Sequence, residues 1–150
     1  MHTLFERVRR TDALVSTALI RWMVGVVFLS EGIQKWIQPE MRGAGRFEKI
    51  GLPAPEFLGY LVGTTEIVCG LLLVIGFYAR AAAVPLLTIM AVAILSTKIP
   101  TLLNDGFWEA AHAVRTDFCM TVGSIFILLR GSGRWSVDGR SLQSGGRNER

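Results

Sequence analysis

VGTTEIVCGLLLVIGF, Val62 to Phe77, is apolar except for two threonines and the carboxylate Glu66. It lies within a run long enough to cross a bilayer as a helix, which takes roughly 20 mostly apolar residues. A charged side chain at the bilayer centre costs on the order of 2.5–3.5 kcal/mol on insertion scales. Spacing offers a way out of that cost. Residues four and seven apart share one face of a helix, and Gly59, Gly63, Glu66 and Gly70 form such a stripe. Glycines so placed let a second helix approach closely. Glu66 is therefore expected on a packed interhelical face, not towards lipid.

Outward from this stretch, the run extends from about Phe57 to Tyr78, and three more apolar runs accompany it. They are Ala13 to about Ile37, Ala81 to near Lys98, and Phe107 to Arg130. Pro100 disfavours helical geometry at the preceding residue, so the third run is expected to stop near Lys98. Gly131 is placed to end the fourth. Only the turn YAR (78–80) joins the second and third runs, which makes them antiparallel neighbours. The fold expected is all-α, a four-transmembrane-helix antiparallel bundle. Residues 1–140 form a single membrane domain, and the polar tail SLQSGGRNER (141–150) is expected to be disordered.

The chain has 150 residues, of which 51% are hydrophobic, and a formal net charge of +4. Its basic residues flank apolar runs, so they read as topology determinants rather than as a nucleic-acid surface. Nine of them (Arg7, Arg9, Arg10, Arg80, Arg130, Arg134, Arg140, Arg147 and Arg150) fall on one side of a four-span arrangement. Six (Lys35, Arg42, Arg46, Lys49, Lys98 and Arg115) fall towards the other. That bias expects both termini in the cytoplasm of a bacterial inner (plasma) membrane. Of Trp22, Trp36, Trp108 and Trp135, three lie near predicted span ends, as an aromatic belt does. The basic start resembles a signal peptide, but its apolar segment is too long and no small-x-small site follows, so it reads as a retained anchor.

The polar residues inside the runs are the candidate site. Glu31 and Lys35 are four apart in the favourable acid-before-base order, and Lys35 can snorkel to the outer interface. Arg21 lies deeper. Glu66 falls between the depths of Arg21 and Glu31, so either is a possible partner, directly or through water. Glu66, Arg21, Lys35 and Glu31 are thus the proton- or ligand-binding candidates. In the fourth run, Glu109, His112, Thr116, Cys119 and Gly123 share about a quarter-turn, flanked by Arg115 and Asp117. This stripe is expected to be shielded from lipid. Glu109 and His112, with Asp105, also have the spacing of O/O/N metal ligands. Each constellation has a plainer reading as polarity that only pins helices together.

Cys69 and Cys119 lie fifty residues apart without a C-x-x-C, which argues against a dithiol mechanism within the chain. There is no flavin fingerprint, no haem-ligand pair at matched depth and no iron–sulfur cysteine set, so any oxidoreductase activity needs a partner subunit. The connection QPEMRGAGRFEKIGLPAPE (38–56) is expected to cover part of the outer mouth. Its RGAG lacks the preceding strand of an anion-binding loop. Gly59-x-x-x-Gly63 serves either packing within the monomer or a homodimer.

Taken in order, RWMVGVVFLSEGIQKW (21–36), GLPAPEFLGYLVGTTEIVCGLLLVIGFYARAAAVPLLTIMAVAI (51–94) and LLRGSGRWSVDG (128–139) resemble the DoxX family of small four-helix membrane proteins. Arg21 matches its early arginine, Lys35 its small-x-x-K motif, Gly51 to Pro53 its G-L-P loop, and Glu66 the glutamate before GGLLLxxG. Arg80 matches its short basic turn, and Gly131 to Asp138 its terminal GxGxxSxD. Cys69 stands where glycine is usual, and Glu31 where a small or apolar residue is usual. The resemblance implies a membrane protein tied to redox, sulfur or stress metabolism, in a family that includes the small subunit of a thiosulfate:quinone oxidoreductase. A quinone is then the candidate cofactor, bound by the Arg21/Lys35/Glu31/Glu66 set. Other relatives sit beside metal-stress peptides, which supports an alternative: a metal or small-solute permease, or a membrane partner of such peptides. A purely structural role is the third reading.

Overall fold

The computed structural model describes residues 16–133 and 135–140. Arg7, Arg9, Arg10, Arg134, Arg147 and Arg150, on which the charge bias partly rests, lie outside the described residues, as does the 141–150 tail.

All regular structure among the described residues is helical. Helix α1 is Ser16–Ile37, followed by the short α2, Pro39–Arg42, and α3, Ala44–Lys49. Helix α4 spans Pro55–Ile75 and α5 spans Ala79–Ala93. A π-helical turn, Ile94–Lys98, leads into α6, Ile99–Asp105, and α7 is Phe107–Arg130. Four helical stretches are long and apolar enough to cross a membrane: Ser16–Ile37, Pro55–Ile75, Ala79–Asp105 and Phe107–Arg130.

Packing runs round a ring: α1 on α4, α4 on α5, α5 on α7 and α7 back on α1. Val24, Phe28, Leu73, Ala83, Leu86 and Ile127 fill its centre. Leu19, Val26, Val68, Val84, Phe118 and Leu129 are exposed on its outside, an apolar jacket suited to lipid. Gly76, at φ +73°, ends α4 in a left-handed cap, with its N–H bonded to the carbonyls of Leu72 and Leu73.

Glycines set the closest helix pair. A Cβ at Gly32 would fall 2.6 Å from the carbonyl oxygen of Gly63, and one at Gly25 2.9 Å from that of Gly70. Helices α1 and α4 therefore touch backbone to backbone at two levels. Gly59 faces instead the amide of Ala44 at the start of α3. The G-x-x-x-G pair thus packs inside the monomer, shared between α1 and the connection that leads into α4.

The third span overruns its expected end. Pro100 falls in the first turn of α6, directly after the π turn, where the helix runs on without its N–H. The π turn before it absorbs the break. The Ser96 and Thr97 hydroxyls there bond to the carbonyls of Val92 and Ala93 at 2.7 and 2.6 Å. The chain therefore continues helically from Ala79 to Asp105.

Candidate functional site

The glycine contact leaves Glu66 in the α1–α4 interface, with 2% of its surface exposed. Lys35 Nζ donates to Glu66 Oε2 at 2.6 Å and lies 3.9 Å from Glu31 Oε2. Side-chain exposure falls from 40% at Glu31 through 10% at Lys35 to 2% at Glu66. The three groups make a polar path from the helix surface to a buried carboxylate. Arg46 of α3 adds a further positive field at Glu66. Taking two charges out of water is costly, and a close charge-assisted hydrogen bond offsets much of that cost.

Above this pair, α2, α3 and the start of α4 border an open groove of about 990 Å³, lined by Glu40, Glu48, Lys49, Phe57 and Tyr60 among others. Tyr60 packs on Trp36 with ring centres 4.9 Å apart, and Trp36 lies against Gly63, three residues before Glu66. The connection between α1 and α4 thus folds over the α4 end of the site.

Arg21 is not part of the Glu66 group. It is fully buried and donates to the carbonyls of Leu73 (2.5 Å), Val74 (2.7 Å) and Trp135 (2.5 Å). The first two are last-turn carbonyls of α4, at the negative end of its dipole; that of Leu73 also accepts from the Gly76 N–H and that of Val74 from Trp22 Nε1–H. Because α1 and α4 are antiparallel, fourteen residues from Lys35 to Arg21 carry the guanidinium about 21 Å along the axis, past Glu66 to the far end of α4. There it anchors the C-terminal segment. Ser132 Oγ donates to Asp138 Oδ2 at 2.6 Å, Ser136 Oγ donates to the Gly133 carbonyl, and the Asp138 N–H donates to the Gly76 carbonyl. Asp138 also contributes a compensating negative field at Arg21. The sequence reading had no role for Ser132, Ser136 or Asp138. The match of Gly131 to Asp138 to GxGxxSxD, whose serine and aspartate are Ser136 and Asp138, was the signal that could have found one.

The α7 stripe also differs from expectation. Glu109, His112, Arg115, Thr116 and Cys119 are exposed. Helix α7 buries Met120, Gly123, Ser124 and Ile127 in its C-terminal half but only Ala110 in its N-terminal half. The stripe that includes Gly123 therefore emerges from the bundle before it reaches His112. Arg115 Nη1 lies 2.7–2.8 Å from the His112 ring nitrogens. Asp117 turns the other way and pairs with Lys98 at 3.1 Å. No three His, Cys, Asp or Glu side chains come together among the described residues. Asp105 ends α6, and Gly106, at φ +89°, breaks the helix before Glu109, so helical spacing does not carry between those two acids. Cys69 is buried and Cys119 exposed, both as free thiols.

Four apolar spans, two of which hold a lysine–glutamate pair between them, define a small multi-pass membrane protein. The chain belongs to the DoxX family, whose model matches residues 16–99. It is 49% identical over 142 residues to "Uncharacterized membrane protein Rv3486" of Mycobacterium tuberculosis, covering 91% of this chain and 87% of the relative. It is 28% identical over 127 residues to "Putative oxidoreductase CatD" of Bacillus subtilis, covering 83% and 85%. No solved structure matches significantly.

Proposed function

We propose that the chain is the membrane component of a redox or stress-response system, and that Lys35 and Glu66 bind the polar headgroup of a quinone-like carrier and exchange a proton with it. The observation behind this reading is the 2.6 Å Lys35–Glu66 contact between two spans, reached from the surface through Glu31. Intramembrane ionisable groups are costly and commonly mark proton or ligand paths. The name of the Bacillus subtilis relative, which carries the word oxidoreductase, supports the redox reading.

The donor set fits such a headgroup. Lys35 has three N–H donors, and its contacts with Glu66 and Glu31 leave it able to donate to a carbonyl oxygen. Glu66 is placed to give or take the proton that accompanies a change of redox state. Glu31, the more exposed acid, connects the pair to the outer surface. Electrons are supplied by a partner subunit, since Cys69 and Cys119 lie on different helices in different surroundings. Arg21 acts apart from this group, holding the C-terminal segment on the inner end of the bundle.

The excess of arginine at the termini and the YAR turn orients both termini to the cytoplasm of a bacterial inner membrane. The Lys35–Glu66 pair then lies in the outer half of the bilayer. Residues 1–140 form the membrane domain, with 141–150 as its tail. The test is complementation in cells lacking the gene. Glu66→Gln should abolish redox-stress tolerance at normal membrane abundance, and tolerance equal to wild type would defeat the reading.

A further inference from the structure

Two arrangements in the molecule repeat. In the α1–α4 hairpin, an arginine near the inner end of the first helix bonds last-turn carbonyls of the second: Arg21 to Leu73 and Val74. A lysine near its outer end pairs with a carboxylate of the second helix: Lys35 with Glu66. The α5–α7 hairpin does both again. Arg80 Nη2 donates to the Leu129 carbonyl at 2.8 Å, and Lys98 pairs with Asp117 at 3.1 Å.

The spacings agree. Arg21 and Lys35 are fourteen residues apart, and Arg80 and Lys98 eighteen. Glu66 lies eight residues before Val74, and Asp117 twelve before Leu129. Both spacings of the second hairpin are longer by four residues, about one turn. Helices α1 and α5 run in the same direction, so the two hairpins are related by rotation about the membrane normal. In the ring of packed helices their lysine–acid pairs fall on opposite sides. Charge topology alone would put cations at span ends. It would not give each the same partner type on the same helix of its hairpin.

We infer that the chain is built twice on one hairpin plan, and that Lys98–Asp117 is a second headgroup site equivalent to Lys35–Glu66. It takes a membrane-soluble molecule with a hydrogen-bond-accepting oxygen, to which Lys98 donates while Asp117 orients the ammonium. Side-chain exposures of 18% and 21% leave this pair more open than its counterpart. The π turn that ends on Lys98 is the kind of helix irregularity often found at functional sites. The assignment rests on reading Lys35–Glu66 as a headgroup site.

The test counts sites. Full-length protein in phosphatidylglycerol-containing nanodiscs is titrated with a short-chain ubiquinone analogue by calorimetry. Wild type should take up two equivalents per chain. Asp117→Asn and Glu66→Gln should each leave one, and the combined variant none. Lys98→Met with Asp117→Leu removes the second pair without leaving an unpaired charge, and it too should leave one. A single wild-type equivalent, lost in Glu66→Gln and kept in both Asp117 variants, would overturn the second site and leave the first intact. No uptake by folded wild type would overturn both.

Discussion

Lys35 Nζ lies 2.6 Å from Glu66 Oε2, while Arg21, the other cation well inside α1, commits its guanidinium to the carbonyls of Leu73, Val74 and Trp135. The two cations of one helix thus do different work. One compensates a buried acid in the middle of an interface, and the other closes the far end of the bundle.

Removing one member of a buried pair costs more than removing both. Lys35→Met leaves a carboxylate that is 2% exposed without its counter-charge, and an uncompensated buried charge costs about 3–5 kcal/mol. Lys35→Met combined with Glu66→Leu should recover most of that stability. Thermal unfolding in detergent should rank wild type and the double variant together, with the single variant well below.

The glycine contacts predict an asymmetry between facing positions. An added Cβ at Gly32 meets backbone of Gly63 at 2.6 Å and of Ile67 at 2.8 Å, whereas one at Gly63 meets nothing nearer than 3.2 Å. Gly32→Ala should therefore destabilise by about 1–3 kcal/mol, as overpacking does, and Gly63→Ala by less. Comparative thermal unfolding of the two variants measures the difference.

Arg21→Gln should free the C-terminal segment. Hydrogen bonds to a charged group contribute about 1.5–3 kcal/mol each, and three carbonyls lose theirs. Limited proteolysis should cut near residues 131–140 much faster than in wild type. Headgroup binding at Lys35–Glu66 should persist, because Arg21 does not touch that pair.

The two thiols should react unequally. Cys119 is exposed and Cys69 has 8% of its surface accessible. A membrane-permeant maleimide should label wild type once per folded chain, and Cys119→Ser should abolish labelling whereas Cys69→Ser should not. Mass spectrometry of intact protein reads this directly.

The spans were legible because lipid demands long apolar runs, and the inward face of Glu66 because glycines recur at helical spacing around it. The α1 half of that contact was equally readable: Gly25 and Gly32 have the same spacing as Gly63 and Gly70. Other features depended on register and crossing geometry, which spacing along one helix does not contain. Arg21 was grouped with Glu66 on depth, but an antiparallel register sends it to the end of α4. The α7 stripe shares a face on its own helix, yet its N-terminal half leaves the bundle. Pro100 follows the general rule for prolines only when no π turn precedes it. The pairing of Lys98 with Asp117 was hidden for the same reason, since the lysine was read as a topology determinant.

The central claim is that Lys35 and Glu66 together bind a headgroup within the membrane. Its most direct measurement is the affinity of a short-chain ubiquinone analogue for wild type and Glu66→Gln in nanodiscs, with the fold of each checked by circular dichroism. Binding at the α1–α4 site weakened at least about tenfold, equivalent to 1.4 kcal/mol, in a folded Glu66→Gln protein is the predicted result. Equal affinity and equal stoichiometry in the two proteins would contradict it.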